Sequence, residues 1–245
     1  MAMKRSPEKG KNMNQEIVIR PCGDQALTVL FEQRISEEIH QQVIRLDIML
    51  QADPAVVEVV PAYASVLVYY DPLAYTYAEM EQRIRKHLTE DRPARETDGK
   101  CVVIPVCYGG KHGPDLPFVA SHAGLTVSEV IQLHSGREYR IYMLGFLPGF
   151  PYLGGMDPKL ETPRLPSPRT LIPAGSVGIG GRQTGIYPFD SPGGWRLIGR
   201  TPASLFRRSV SGKEKVPIYQ AGDRIRFESI SPEEYDLMMR ERDGC

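Results

Sequence analysis

No apolar run in the 245-residue chain approaches the roughly 18–20 residues that cross a bilayer as a helix, so no membrane span is expected. The opening stretch, Met1-Ala-Met-Lys-Arg-Ser-Pro, is positively charged but has no apolar segment behind it, which argues against a secretory signal. Cysteine is scarce: Cys22, Cys101, Cys107 and Cys245 contain no CxxC pair and are too few for a disulfide framework, so a reduced, cytoplasmic setting is expected. Net charge is absent too, since 30 basic and 30 acidic side chains cancel, and this disfavours general nucleic-acid binding. No lysine follows the glycines as a P-loop requires. His40, His87, His112, His122 and His134 are dispersed, with no HExxH and no thiolate cluster, so no metal site is expected.

What is present is an ordinary core-forming composition, 41% hydrophobic and 24% charged, in a length that favours two small domains. Residues 1–13 are polar and read as a disordered tail. Gln15–Arg20, Ala26–Phe31, Val56–Val60 and Val66–Tyr70 read as strands. Ser36 caps a helix with apolar positions Ile39, Val43, Leu46 and Leu50, and Thr76 with Glu79 forms a capping box ahead of Met80, Ile84 and Leu88. This ββαββα order predicts an α+β domain over 14–95, with both helices on one face of an antiparallel sheet. The charged stretch Arg92–Gly99, without apolar anchors, marks the boundary, and a second domain follows over 100–245.

In the second domain Cys101–Val106 and Tyr139–Leu144 read as strands, Asp115–Ala123 as a short helix, and Thr126 with Glu129 as another capping box. Between Pro148 and Pro173 lie seven prolines, and between Gly145 and Gly199 lie twelve of the 23 glycines, which excludes long helices. Core-forming residues such as Phe150, Ile172, Ile179 and Leu197 punctuate the stretch, so short strands with glycine corners, closing as a β-barrel, are expected. Val216–Tyr219 and Arg224–Phe227 are further strands, and Ser231-Pro-Glu-Glu starts a terminal helix.

Two motifs stand out: Leu144-Gly-Phe-Leu-Pro-Gly-Phe-Pro-Tyr-Leu-Gly-Gly155, and Pro173–Pro188 followed by Ser191-Pro-Gly-Gly-Trp195. Gly175, Gly178, Gly193 and Gly194 let backbone approach a ligand without Cβ obstruction. Ser176, Gln183, Thr184, Tyr187 and Ser191 add neutral hydrogen-bonding groups, and Phe150 and Trp195 can wall an apolar pocket. Arg164 and Arg169 can present forked donors to a carboxylate or phosphate, and Arg169 and Trp195 are expected to line one concave site. Ala174-Gly-Ser-Val-Gly178 echoes a serine-hydrolase elbow, but the glycines and Pro188 deny it the following helix, so a serine in a tight turn is favoured. From Thr162 to Lys213 eight cations face a single carboxylate, Asp190. Those cations either scatter around a barrel exterior or form a surface that attracts an anion.

These motifs, with Arg196-Leu-Ile-Gly-Arg-Thr-Pro202 and Gln220-Ala-Gly-Asp223, closely resemble the family of 5-oxoprolinase B subunits, also called KipI-like or allophanate hydrolase subunit 1. The resemblance covers residues 15–240 and includes Gly23-Asp24 and Val60-Pro-Ala-Tyr-Ala-Ser65. It implies a ferredoxin-like α+β N-terminal domain and a mainly-β, cyclophilin-like barrel. It further implies a component that works with subunits A and C in ATP-dependent opening of 5-oxoproline to glutamate. The ATP site lies either on this chain or on a partner subunit, and the missing P-loop and general base predict a chain inactive alone. The other role carried by the same pattern is inhibition of a sporulation sensor histidine kinase. The family supplies no general base to carry over. For the lactam reaction, Arg164 or Arg169 would hold the substrate carboxylate, the Gly175–Gly181 backbone with Ser176 would face developing charge, and Gln183, Thr184 and Tyr187 would position the ring amide.

Overall fold

The computed structural model describes residues 17–34, 36–90, 99–209, 212 and 214–243. The polar tail, most of the Arg92–Gly99 stretch, Lys213 and Cys245 lie outside the described residues. The chain divides into two compact units, Met1–Ala94 and Arg95–Cys245.

In the first unit the strands β1 (Val18–Pro21), β2 (Ala26–Leu30), β3 (Val56–Pro61) and β4 (Ser65–Tyr70) form one antiparallel sheet in the order β1-β2-β4-β3. Helix α1 (Glu37–Gln51) starts at Ser36, whose hydroxyl oxygen accepts the Ile39 N–H. Helix α2 (Tyr77–Thr89) starts at the reciprocal Thr76–Glu79 box, which satisfies two amides that a helix start leaves unpaired. The period of the apolar positions then decides the packing. Ile39, Val43, Leu46 and Leu50 of α1 and Met80 and Ile84 of α2 meet Leu27, Val29, Val66 and Val68 in a single core. Tyr69 and Val60 point away from that core and are exposed.

The second unit is built on a closed barrel of seven strands, ordered β10-β7-β6-β15-β5-β12-β9 and shut by pairing of β9 with β10. These strands are β5 (Cys101–Tyr108), β6 (Glu138–Leu144), β7 (Pro151–Gly154), β9 (Ser176–Gly180), β10 (Gln183–Ile186), β12 (Arg196–Arg200) and β15 (Arg224–Ile230). Ile104, Val106, Tyr139, Ile141, Val177, Ile179, Ile225 and Phe227 fill the interior. Helices α3 (Leu116–Ala123) and α4 (Val127–Ser135) add Leu116, Val119 and Val130 to the same core, and α5 (Pro232–Asp243) follows the last strand. Two small ribbons lie outside the closed sheet: β8 (Arg169–Ile172) with β11 (Ser191–Gly193), and β13 (Phe206–Arg208) with β14 (Lys215–Pro217).

One local expectation is corrected here. The strand expected over Val216–Tyr219 ends at Pro217 and pairs with β13, although β15 is the next strand in sequence. β15 has no free edge, because β5 lies parallel on one side and β6 antiparallel on the other.

Candidate functional site

The second unit carries a pocket of about 260 Å³ beside the β8–β11 ribbon. Six of the residues singled out in the sequence line it: Phe150, Arg164, Tyr187, Gly193, Gly194 and Trp195. Its walls are rings set edge to face. Phe150 and Trp195 have centroids 5.5 Å apart at 82°, and Phe150 and Tyr187 are 5.3 Å apart at 78°. These are the favoured aromatic geometries, in which a ring edge meets the electron-rich face of its neighbour. With Ile172 and Leu197 the three rings make a small core of their own, separate from the barrel interior.

Two glycines make room for this packing. A Cβ on Gly180 would fall 2.5 Å from the Trp195 Nε1, so β9 is pared to backbone where the indole lies on it. A Cβ on Gly193 would fall 2.6 Å from the Tyr187 hydroxyl oxygen. Burial pushes the Tyr187 phenol up to about 12, so it stays protonated and able to donate.

Arg164 places its guanidinium over the Trp195 ring, 5.8 Å from the centroid, and is itself exposed. A cation over indole is held by the ring quadrupole while its donors stay free for an anion. Arg169 behaves differently and is not among the pocket's lining residues. Its Nη2 lies 2.9 Å from Asp115 Oδ1, and its Nη1 is 3.5 Å from the Trp195 carbonyl oxygen. Asp115 stands at the N-terminus of α3, yet makes no side-chain cap there. Its second carboxylate oxygen instead accepts the Leu197 N–H at 2.7 Å.

The remaining candidates sit in the walls behind the pocket. β9 pairs on both edges, so its amides serve the ladders with β10 and β12, while Gly175 N–H donates to Tyr187 O and Gly181 N–H to Thr162 O. Gly178 lies in that strand beneath the Trp195 Cβ. The Ser176 hydroxyl donates to the Pro173 carbonyl at 2.7 Å. Gln183 is half-buried opposite Gly180, and Ser191 is buried on β11. Thr184 is fully buried and donates to Gly178 O at 3.1 Å. A hydroxyl has one proton, so His134 Nε2–H donates to Thr184 Oγ1 at 2.8 Å, and His134 Nδ1 accepts the Tyr108 hydroxyl, also at 2.8 Å. Burial, then the Arg137 charge, lowers His134 to about 3, so the imidazole is neutral. This chain of bonds ties α4 to β9 and β10 inside the barrel.

Four lining residues were not singled out in the sequence: Phe146, Tyr152, Pro168 and Pro192. Phe146 and Tyr152 fall inside the first glycine–proline motif, and that motif was the only available signal for them. Phe146 is exceptional in the backbone. It has φ +67, unique among the described non-glycine residues, and the Leu147 N–H closes a three-residue turn on the Gly145 carbonyl at 2.8 Å. This positive-φ γ-turn is rare and strained, and a bulky residue in it costs about 1–3 kcal/mol.

Several of the described cations of the Thr162–Lys213 segment are engaged separately from one another. Arg182 pairs with Glu161 at 3.1 Å, Arg196 stacks on Phe118 and donates to Pro163 O, and Arg200 donates to Ala174 O. Among the lining residues Arg164 is the single cation, and no carboxylate joins it.

The site sits in a recognisable class of domain. Residues 17–215 match the family described as carboxyltransferase domain, subdomain C and D. The chain is 40% identical to the 5-oxoprolinase B subunit of Bacillus subtilis, over 91% of this chain and 97% of that one. It is 42% identical to the 5-oxoprolinase B subunit of Escherichia coli O157:H7, over 84% and 92% respectively. A crystal structure of a conserved uncharacterised protein from Pyrococcus horikoshii is 47% identical and covers 89% of this chain and 100% of its own, with a TM-score of 0.52. The Kluyveromyces lactis urea carboxylase shares the fold at 19% identity and a TM-score of 0.77, over 93% of this chain and 23% of that one. The chain therefore belongs to the carboxyltransferase-domain proteins and, within them, to the family of 5-oxoprolinase B subunits.

Proposed function

We propose that the protein is the B subunit of an ATP-dependent 5-oxoprolinase and that its aromatic pocket receives the lactam. The observation that carries this reading is the pairing of flat aromatic walls with one cation, Arg164, and no carboxylate. 5-Oxoproline is a compact, nearly flat ring with a single carboxylate. Its ring suits the space between Phe150, Tyr187 and Trp195, and its carboxylate suits Arg164. Arg169, engaged by Asp115, supports the wall.

ATP fits this pocket poorly. One cation faces the pocket, where a triphosphate needs several donors, and no P-loop is present. The nucleotide site is therefore assigned to a partner, and the chain works with subunits A and C in the cytoplasm. Phosphorylation of the lactam carbonyl oxygen, followed by hydrolysis, opens the ring; this chain's part is to bind the ring and orient it. No general base is assigned among the lining residues: burial raises both phenols, Tyr152 and Tyr187, above the ordinary tyrosine value, so neither is ready to take a proton. A second reading, inhibition of a sensor histidine kinase, is favoured by the exposed Phe146 and Phe189 rings, which suit a helical partner. As to fold, β2-α1-β3-β4-α2 with β1 in the edge place of a final strand is a ferredoxin-like sheet with its last strand moved to the front, and the seven-strand barrel is read as cyclophilin-like.

Reconstitution tests the reading. The full chain with subunits A and C converts 5-oxoproline to glutamate at the expense of ATP, the chain alone does neither, and Arg164→Gln in the assembly raises the KM for 5-oxoproline about tenfold. Turnover by the pure chain, or an assembly indifferent to Arg164→Gln, would sink it. A pull-down that recovers a histidine kinase and no C subunit would favour the second reading.

A further inference from the structure

We propose that Phe146 is the specificity-determining cover of the aromatic pocket, held over the site by its strained turn. The inference rests on the reading of the pocket as a site for a compact monoanionic ring. Three observations carry it. Phe146 lines the same pocket as Trp195 and Arg164, so its ring borders whatever enters. The ring is 61% exposed and meets its neighbour Phe150 only edge to face at 5.7 Å, so it fills no core of its own. Its backbone has φ +67 in a turn closed by Gly145 and Leu147, a conformation that a phenylalanine adopts only when its surroundings impose it.

An exposed aromatic ring has no folding reason to stand in such a turn. The conformation does present the ring at the pocket, edge to face with Phe150 of the wall that Tyr187 and Trp195 complete. A flat ring entering the pocket gains a further apolar contact from Phe146 beside the wall, while its carboxylate remains on Arg164. An open-chain ligand with a further ammonium or carboxylate would bring that charge against apolar surfaces and lose affinity. Phe146 thus selects for flat, singly charged ligands.

Trp195 is the chain's only tryptophan and lines the site, so its fluorescence reports occupancy directly. The full chain and its variants are titrated with two probes: L-5-oxoproline, and cyclopentanecarboxylate, a ring of the same size with a carboxylate but no lactam. Phe146→Gly and Phe146→Ala are expected to bind both about tenfold more weakly, the scale of one aromatic contact, while Phe146→Tyr binds within about threefold of wild type. Phe146→Gly is also expected to melt above Phe146→Ala, because glycine adopts φ +67 freely and alanine does not. Wild-type affinity in Phe146→Gly overturns the proposal and leaves the pocket reading intact. Equal melting of the glycine and alanine variants overturns the strain on which it stands. If only cyclopentanecarboxylate binds, and does so through Phe146, the cover stands and the lactam assignment falls. If neither probe moves the fluorescence, both fall.

Discussion

Arg169 and Asp115 join the β8–β11 ribbon to the start of α3 through a guanidinium–carboxylate contact of 2.9 Å, and the same carboxylate holds the Leu197 N–H of β12 at 2.7 Å. One side chain thus pins a helix start, a barrel strand and the ribbon that floors the pocket. The carboxylate is 11% exposed and Arg169 30%, so solvent screens the pair only in part.

Removing the carboxylate should therefore cost more than removing the cation. Asp115→Ala leaves the Leu197 N–H without its acceptor and is expected to destabilise the protein by about 2 kcal/mol, against about 1 kcal/mol for Arg169→Lys. Chemical denaturation of both variants measures this. Equal, negligible losses would show that the contact does not organise the wall.

Gly180 is the seat of the indole. Gly180→Ala should displace Trp195, lower the thermal midpoint and shift the tryptophan emission to the red as the ring meets water. Trp195→Ala is expected to destabilise by about 3 kcal/mol, since the ring is only 6% exposed and its removal leaves a cavity among Phe150, Tyr187 and Ile172. An unchanged emission maximum in Gly180→Ala would contradict the close approach.

His134 should remain neutral, with its proton on Nε2, at every pH the protein tolerates. Its folded value near 3 lies below the ordinary histidine value near 6.5, so between these the unfolded chain binds a proton that the native chain refuses. Stability from this residue is full above about pH 6.5 and falls as the pH drops toward 3. Nitrogen-edited NMR of the ring should show the Nε2–H tautomer without titration down to about pH 4. A charged imidazole at pH 5 would break the bond order assigned to Tyr108, His134 and Thr184.

A second acid-sensitive point lies in the first unit. Burial works against the Asp53 charge, but hydrogen bonds from Arg83, His87 and the Ala55 N–H outweigh it and hold the carboxyl well below the usual carboxylate range. The folded value is the lower one, so this stabilisation is present above about pH 4 and disappears as the pH falls below it. Asp53→Asn should lower the melting temperature at pH 7 and flatten its dependence on pH below about 5. Parallel pH profiles for variant and wild type would refute the assignment.

Much of the architecture was legible before any coordinates. Ser36, Thr76, Thr126 and Ser231 each start a helix where the residue types demand it, because a cap is a local bond between neighbours in the chain. The glycine–proline texture from Gly145 to Gly199 pointed to short strands and corners for an equally local reason, the restricted φ of proline and the freedom of glycine. Phe150 and Trp195 were readable as pocket walls, whereas Tyr187, read as a hydrogen-bonding group, lines the same pocket and packs against Phe150. The strain at Phe146 was not readable: nothing in Gly-Phe-Leu-Pro-Gly says which residue takes the positive φ.

What the sequence by itself determined, then, is everything that depends on near neighbours: the caps, the helical and strand periods, the glycines that make room for rings, and the kinship that those motifs carry. Only the tertiary structure decided which arginine faces the pocket. Arg164 and Arg169 stand five positions apart in one proline-rich segment and look equivalent along the chain. Closure of the barrel brings Asp115, 54 residues distant from Arg169, against its guanidinium and leaves Arg164 over the Trp195 ring. Charges pair through space, and the distances that select one partner over another exist only once the strands have closed.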